Sequence, residues 1–223
     1  MNHELVTVIY FWKIEQSKLG FALLRMALDR GALRRFSGVR FAKMLGAGKG
    51  ETFTPRDADI TRWGALIVIE QSQLAALDNS KLIKRWRTNS SDEVRYLVDP
   101  ISSHGLWAKV NPFDYVKSAG DGEVVAITRA RIKWRKNLIF GRSVPPVTKS
   151  LHSSQGLVAA IGIGEAPIGL QGTFSLWESA EAVRSFAYRG EAHKAAIAAT
   201  HREDWYAEEM FARFAITKSS GAL

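Results

Sequence analysis

The imidazole of His193 is the side chain in the last quarter of the chain with the clearest metal-ligand chemistry. It lies in an alanine-rich segment. On a helix that begins near Glu191, the periodicity of 3.6 residues places Ala196 and Ile197 on the same face. That face is small and apolar, so the ring is either a hydrogen-bonded core residue or a ligand that points into a cavity. Small neighbours would let a flat cofactor approach the helix, whereas His201 lies at the edge of this face and is predicted to be exposed.

The last predicted strand carries two opposite charges on one face. Glu209 and Arg213 are four residues apart, so the alternation of a strand places both beside Phe211. Burying such charges costs desolvation free energy unless each charge is satisfied. The two residues therefore form either a structural ion pair or a polar lining that contacts the carboxylates of a cofactor, and the sequence leaves both interpretations open.

Several common catalytic motifs are absent. The loop from Gly46 to Gly50 has glycine instead of serine or threonine after Lys49, which excludes a phosphate-binding loop. Neither the Gly-x-Ser-x-Gly elbow of a hydrolase nor the His-Glu-x-x-His pair of a zinc hydrolase occurs. The chain has no cysteine, so it has no disulfide and no thiolate ligand for a metal or a haem.

The formal net charge of +9 arises from basic residues that cluster along the chain. The clusters comprise Arg25, Arg30, Arg34 and Arg35; Lys81, Lys84, Arg85 and Arg87; and Arg129, Arg131, Lys133, Arg135 and Lys136. No helix-turn-helix, zinc-finger or ribonucleoprotein motif accompanies them, so we predict no nucleic-acid partner. Attraction to anionic lipid headgroups and simple solubility remain as the two explanations.

The sequence also gives an expectation for location. The N-terminus lacks the basic run and apolar core of a signal peptide. The longest apolar stretch, 157–164, is far shorter than the ~20 residues that a spanning helix needs. We therefore expect a cytoplasmic protein, with a peripheral position at the inner membrane surface as the alternative.

Alternating and helical apolar patterns predict the elements around these side chains. Predicted strands cover 5–12, 39–45, 63–70, 107–113, 124–132, 157–163, 173–177 and 209–216, and predicted helices cover 18–35, 71–87, 134–150 and 179–202.

The order of these elements restarts after Gly120-Asp121-Gly122. Residues 1–120 and 121–218 each give the order βαββαβ, and residues 219–223 are predicted to be a frayed tail. Gly46-x-Gly48 and Gly162-x-Gly164 lie at the same point in each half. Each half has one sheet face to bury, so we predict an α+β fold in which two duplicated ferredoxin-like units form an intrachain α+β barrel around a sheet-walled pocket.

The motifs of the second half resemble the spheroidene monooxygenase family, whose members are haem-containing acyclic carotenoid 2-ketolases of bacteria. The matching segments are 162–167 (Gly-Ile-Gly-Glu-Ala-Pro), 171–177 (Gln-Gly-Thr-Phe-Ser-Leu-Trp), 186–188 (Phe-Ala-Tyr), 192–193 (Ala-His) and 205–214 (Trp-Tyr-Ala-Glu-Glu-Met-Phe-Ala-Arg-Phe). Weaker agreement extends to 43–50, 53–55 and 144–146.

The resemblance implies a b-type haem in a duplicated barrel akin to those of aldoxime dehydratases and chlorite dismutases. His193 would then be the axial ligand of the iron, with Ala196 and Ile197 beside the haem. Candidate partners for the haem propionates are Arg129, Arg131, Arg142 and Arg213, and no motif decides among them. The sequence assigns no catalytic residue.

The activity that the resemblance implies is haem-dependent monooxygenation, which introduces a keto group into an acyclic carotenoid or a similar apolar substrate. No flavin or nicotinamide motif is present, so an external electron donor such as a ferredoxin would be required. The alternatives are a haem-dependent dehydratase or lyase of the aldoxime dehydratase type, and a non-catalytic haem-binding protein.

Overall fold

A computed structural model of the chain describes residues 4–49, 57–115, 122–136, 146, 148–165, 172–189 and 206–223. In the first half the strands are β1 (Leu5–Ile14), β2 (Val39–Gly48), β3 (Ala58–Glu70) and β4 (Ser90–Gly105), and the helices are α1 (Leu19–Arg34), α2 (Leu74–Asp78) and α3 (Lys81–Asn89). In the second half the strands are β5 (Val124–Ile132), β6 (Leu157–Gly164), β7 (Gly172–Trp177) and β8 (Tyr206–Ser220), and the described helix is α4 (Ala180–Arg189).

The eight described strands form one closed sheet in the order β1-β3-β2-β6-β7-β5-β8-β4, and every neighbouring pair is antiparallel. Within it, the first half has the spatial order β4-β1-β3-β2 and the second half has the corresponding order β8-β5-β7-β6. The predicted α+β class is confirmed. The descent of the two halves from a duplicated unit stays a prediction, as does the boundary near residue 120.

The two glycine motifs meet where β2 pairs with β6. Gly46 lies opposite Gly164, Ala47 opposite Ile163, and Gly48 opposite Gly162, and these three pairs are the whole described pairing of the two strands. Ala47 and Ile163 turn inward into the core, so alternation places all four glycines on the outer side of the sheet. The motifs thus join the two half-sheets.

Large side chains from both halves fill the inside of the closed sheet. Its buried core includes Ile9, Phe11, Leu66, Tyr96, Trp107, Phe113, Ile127, Phe174, Met210 and Phe214. A cavity of about 10 Å³, the space of roughly one water molecule, lies beside Trp107 at one end. In the part of the chain that the structure describes, the predicted sheet-walled pocket is therefore filled by side chains, because both half-sheets direct bulky residues inward.

Helices α1 and α3 cover the outer face of the first half-sheet. Strand β1 is buried on both faces: Ile9 and Phe11 enter the inner core, while Tyr10 and Trp12 pack under the helices. The Trp12 ring stacks on Trp86 of α3 with 5.1 Å between ring centroids. Burial on both sides explains why β1 is an almost continuous apolar run.

Two predicted elements were wrong. The fourth strand is Ser90–Gly105, and not 107–113, because the polar excursion is a strand with Val94, Tyr96 and Val98 directed inward. Residues 107–110 instead form a tight turn in which Ala108 and Lys109 have positive φ angles of 57° and 67°.

The predicted helix 71–87 is also divided. It separates into α2 and α3, and Ser80 caps the second helix by accepting a hydrogen bond from the backbone N–H of Ile83. At the C-terminus, the expected frayed tail begins later than predicted, because Ser219 and Ser220 pair with β4. None of the described helices is long and apolar enough to cross a membrane.

Gly105 is predicted to be the glycine on which the turn after β4 depends. Its φ is +88°, and an added Cβ would overlap the carbonyl oxygen of Glu209. We expect Gly105→Ala to lower the free energy of unfolding by about 1–3 kcal/mol in urea titrations, because backbone must move to make room. Gly20→Ala is the matched control, since nothing lies within 4 Å of its added Cβ. Equal stability of the two variants would contradict the prediction.

Candidate functional site

The outer face of the second half-sheet is built from smaller side chains than the outer face of the first. Where β1 and β3 direct Tyr10, Trp12 and Trp63 toward their helices, β5 and β7 direct Ala126 and Ser175 outward. Among the described residues, the buried apolar cluster on this side comprises Val124, Leu151, Trp177 and Val183, against nineteen residues on the other side. We call the side chains of this surface the C-terminal outer face: Ala126, Thr128, Ala160, Thr173, Ser175, Trp177, Phe211, Arg213 and Ala215.

Helix α4 packs over one end of the C-terminal outer face. Trp177 contacts Phe186 of α4 with 5.4 Å between ring centroids, and Val183 completes the buried contact. Further along β5, Thr128 is exposed although it is central in its strand. Among the described residues, the face therefore combines a packed apolar end with a stretch of smaller side chains in which Thr128 is exposed.

Arg213 is the cation of this face. It lies opposite Ala126 of β5, is half-buried, and its Nε donates a hydrogen bond to the Oγ of Ser102 at 2.9 Å. Among the described residues no carboxylate lies within ion-pair distance of its guanidinium. The predicted pair with Glu209 is not formed, because four residues along a strand span about 13 Å. The guanidinium therefore keeps the capacity to bind an anion.

The other predicted site residues fall into two groups. His193, Ala196, Ile197 and Arg142 lie outside the described residues. Arg129 and Arg131 lie near the end of β5 and share the opposite side of the strand from the C-terminal outer face. The structure thus brings Arg129 and Arg131 to one end of the closed sheet and places Arg213 elsewhere, on the outer face.

Arg129 belongs to a buried group of charges that sequence reasoning missed. This charged cluster consists of Lys43, Arg129, Glu165 and Glu208 with the indole of Trp107. The Arg129 guanidinium donates to Glu165 at 3.1 Å and to Glu208, while its Nε has no hydrogen-bond partner. Lys43 donates to Glu165 at 2.5 Å, and the indole N–H of Trp107 donates to it at 2.8 Å.

Glu208 holds the turn that follows β4. Its carboxylate accepts hydrogen bonds from the backbone N–H groups of Ala108 at 3.0 Å and Lys109 at 2.7 Å. Both residues have positive φ, a conformation that is unfavourable for residues with a Cβ and persists where the surroundings fix it. The turn carries Trp107, whose ring also lies 5.7 Å from the Arg129 guanidinium. One arginine therefore links β5, β6, β8 and this turn.

The two carboxyl groups of the charged cluster, Glu165 and Glu208, are stabilised in their charged form. Burial acts to raise the pKa of Glu165, but hydrogen bonds from Lys43 and Trp107 and the positive charges of Lys43 and Arg129 outweigh it, so the pKa lies below 4.5. For Glu208, burial is likewise outweighed by the Lys109 N–H, Arg129 and the Ala108 N–H, and its pKa is also lowered. Carboxylates of this kind are weak bases at neutral pH, so the cluster suits a structural role.

Acid is predicted to destabilise the fold through these two carboxylates. A carboxyl whose pKa is lower in the folded state stabilises the fold above its unfolded pKa and loses that contribution as the pH falls through the folded value. For Glu165 and Glu208 the loss therefore begins below about pH 4.5, the ordinary value for both. Urea titrations between pH 7 and pH 3 measure the decline, which we expect to be shallower in Glu208→Gln. An unchanged slope in that variant would contradict the assignment.

Two signals in the sequence pointed to the charged cluster. Lys43 is a cation in the middle of an apolar strand, and such a residue is rarely buried without a partner. Glu165 directly follows the second glycine motif. The partners come from strands far apart in the chain, so neither signal identifies them.

Within the described residues, no group of three or more histidines, aspartates or glutamates could hold a metal ion. The candidate ligand His193 is beyond that part of the chain.

The chain is similar along most of its length to curated proteins named spheroidene monooxygenase. It is 34% identical over 212 residues to the protein of Rhodobacter capsulatus, and the alignment covers 92% of this chain and 87% of that protein. It is 32% identical over 220 residues to the protein of Cereibacter sphaeroides, and the alignment covers 97% of this chain and 68% of that protein. No protein-family model matches the chain.

Among solved structures, an aldoxime dehydratase in complex with butyraldoxime superposes with a TM-score of 0.57 at 8% identity. The superposition covers 95% of this chain and 79% of that chain. At this identity the likeness is one of fold alone.

Proposed function

The chain belongs to the spheroidene monooxygenase family and is a monooxygenase, and from that membership we propose that it uses a b-type haem to introduce a keto group into an acyclic carotenoid or a similar apolar substrate. The haem would lie against the C-terminal outer face, with His193 as the axial ligand of the iron.

The observation that carries this proposal is the difference between the two outer faces. Tyr10, Trp12 and Trp63 fill the space between sheet and helices in the first half. The outward residues Ala126, Thr128 and Ser175 of the second half are small, and Thr128 is exposed, so the described side chains fill less of the space above this half-sheet, and a planar group needs such room. The filled inside of the closed sheet offers no comparable space among the described residues. The side chains present therefore fit a flat cofactor on this face.

Arg213 is the described residue best placed to bind a haem propionate. Its guanidinium makes one hydrogen bond, to Ser102, and arginine binds carboxylates through two parallel N–H groups. Arg129 is a weaker candidate, because Glu165 and Glu208 already engage its guanidinium. Arg131 is exposed at the end of β5, and Arg142 lies outside the described residues.

The haem would supply the activation of O₂ for insertion of one oxygen atom into an allylic C–H bond, and the protein would supply placement and a dry surrounding. Each round consumes one O₂, two electrons and two protons, and releases one water. Two rounds at the same carbon give a geminal diol, which loses water to form the ketone. Trp177 and Phe186 bound the packed end of the face and exclude water from it.

The remaining parts of the proposal concern partners and ancestry. Electrons would come from an external donor such as a ferredoxin, because the sequence has no flavin or nicotinamide motif. An apolar polyene dissolves in membranes, so the enzyme would work in the cytoplasm at the inner membrane surface. The matching strand orders of the two halves support descent from a duplicated ferredoxin-like unit.

A pyridine haemochrome spectrum of protein produced with a haem precursor tests the cofactor, and one haem per chain is expected. Product analysis with an acyclic carotenoid then tests the reaction, which must stop when either O₂ or the electron donor is removed. A haem-dependent dehydratase would instead turn over anaerobically without a donor. Protein that stays colourless when saturated with haemin would refute the proposed cofactor.

A further inference from the structure

Helix α1 exposes three large apolar side chains on the surface of the protein. Leu23, Leu24 and Leu28 are 50%, 58% and 53% exposed. The opposite side of the helix is also apolar, because Ala22, Met26 and Leu33 are buried against the sheet. The buried side accounts for the folding of α1, and nothing in the fold requires leucine on the other side.

Positive charge surrounds these leucines. Helices α1 and α3 together contain seven basic residues, namely Arg25, Arg30, Arg34, Lys81, Lys84, Arg85 and Arg87. Their one acidic residue, Asp29, is fully buried. Arg25 and Arg85 pair with Asp29, Arg30 lies 4.0 Å from Glu165, and Arg87 pairs with Glu93 at 2.9 Å. The positive charge on the two helices that no described carboxylate pairs therefore comes from Arg34, Lys81 and Lys84.

Asp29 also fixes the two helices to each other. Its carboxylate accepts hydrogen bonds from Arg25 of α1, from Arg85 of α3 at 3.2 Å, and from the indole N–H of Trp86 at 2.9 Å. The ring of Phe21 contacts Trp86 with 5.5 Å between centroids. These contacts hold α1 beside α3, and we call the exposed leucines of α1 together with the basic residues of both helices the α1–α3 face.

We propose that the α1–α3 face docks on the surface of an anionic lipid bilayer, with the three leucines inserted among the acyl chains and the basic residues beside the headgroups. Apolar residues on a helix with cationic flanks are the composition of interfacial helices. The choice of a lipid surface rests on the proposed function, because the substrate proposed there dissolves in the bilayer.

A second copy of this chain is a poorer occupant of the same face. In a symmetric dimer through α1, the face would meet itself, which places Arg30 and Arg34 of one copy near those of the other. Glu165 lies 4.0 Å from Arg30, but no exposed carboxylate of α1 or α3 could balance Arg34. Repulsion of like charges therefore opposes that pairing, whereas an anionic bilayer is complementary to it.

Flotation of the purified full-length protein with vesicles tests the docking. Vesicles of phosphatidylcholine with about 30% phosphatidylglycerol are expected to carry the protein, while pure phosphatidylcholine vesicles carry much less, and high salt reduces the difference. The variant Leu23→Gln/Leu24→Gln/Leu28→Gln is expected to partition at least about tenfold more weakly, since three apolar side chains are removed from the acyl region. Glutamine preserves helix propensity.

The matched control is Ile60→Gln/Val158→Gln, which replaces side chains of similar exposure, 49% and 50%, outside the α1–α3 face. It should float like the unmodified protein. Lys81→Gln/Lys84→Gln should weaken binding to the anionic vesicles and leave binding to pure phosphatidylcholine vesicles unchanged. Thermal unfolding of each variant establishes that it is folded.

Three results would overturn the proposal: no flotation of the unmodified protein, equal flotation of the leucine variant, or a concentration-dependent dimer that the leucine variant abolishes without any vesicle binding. Flotation needs neither haem nor turnover. If the protein floats but binds no haem, the docking proposal stands and only the oxygenase proposal is refuted.

Discussion

Arg129→Met is expected to lower the free energy of unfolding by about 3–5 kcal/mol, the usual loss when one partner of a buried ion pair is removed. Methionine keeps much of the length of the side chain but lacks the charge that binds Glu165 and Glu208. The Glu208 side chain is only 7% exposed and would keep two backbone N–H groups as its described partners. Urea unfolding at pH 7, followed by tryptophan fluorescence, measures the loss.

Arg131→Met is the matched control for this variant. Arg131 lies two residues further along the same strand, points to the same side, and is exposed. We expect its replacement to change the free energy of unfolding by less than about 0.5 kcal/mol. The double variant Arg129→Met/Glu208→Met should lose less free energy of unfolding than the two single variants lose in sum. In Arg129→Met the buried Glu208 carboxylate loses its arginine partner, and in the double variant that carboxylate is absent. Additive losses would show that the two residues do not act as a pair.

The order of elements could be predicted from sequence because most strands are long apolar runs. Strand β5 was predicted with its observed bounds, 124–132, and β1, β3, β6 and β7 differ from their predicted bounds by a few residues. These strands are buried on one or both faces, so their apolar residues mark them clearly.

Strand β4 shows where such reasoning fails. Its inward residues Val94, Tyr96 and Val98 are separated by Arg95 and Leu97, and Asp99-Pro100 interrupts the apolar pattern. A proline is tolerated here because the pairing with β8 shifts register between Pro100 and Ser102. Strand pairing supplied by β1 and β8 thus overrides a local pattern that favours a loop.

The charged cluster could not be predicted for a different reason. Lys43, Arg129, Glu165 and Glu208 come from β2, β5, the end of β6 and β8, which meet only when the sheet closes. Their pairing depends on the register of four strand pairs, from β2 through β6, β7 and β5 to β8, and on a turn with two positive φ angles. Sequence spacing contains neither piece of information. The ion pair of Glu209 with Arg213, one of two interpretations left open by the sequence, is not formed because four residues along a strand separate the two side chains by about 13 Å.

The contrast between the two outer faces is visible in sequence once the strands are aligned. Strand β1, whose outward residues include Tyr10 and Trp12, corresponds by strand order to β5, whose outward residues include Ala126 and Thr128. Without the topology, the small residues of β5 indicate only a weaker strand. With it, they show that the described outward side chains of β5 are smaller than those of β1, which is the contrast on which the proposed haem position rests.

The proposed haem site against the C-terminal outer face is the reason to expect a large effect at His193. His193→Ala is expected to abolish stoichiometric haem binding, because removal of the axial imidazole leaves the iron without its proposed protein ligand. The pyridine haemochrome assay measures haem per chain, and the absorption spectrum reports axial ligation. His201→Ala is the control, since it removes an imidazole eight residues later on the edge of the same predicted face, and it should retain one haem per chain.

A variant with no side chain at this position separates loss of the ligand from loss of the fold. His193→Gly leaves space for free imidazole, and we expect millimolar imidazole, roughly the range of weak small-ligand affinities, to restore haem binding and the original spectrum. A merely structural histidine would not be replaced in this way, because its contacts are to neighbouring side chains and not to iron. Full haem with an unchanged spectrum in His193→Ala would exclude His193 as the ligand, and the C-terminal outer face would then need another one.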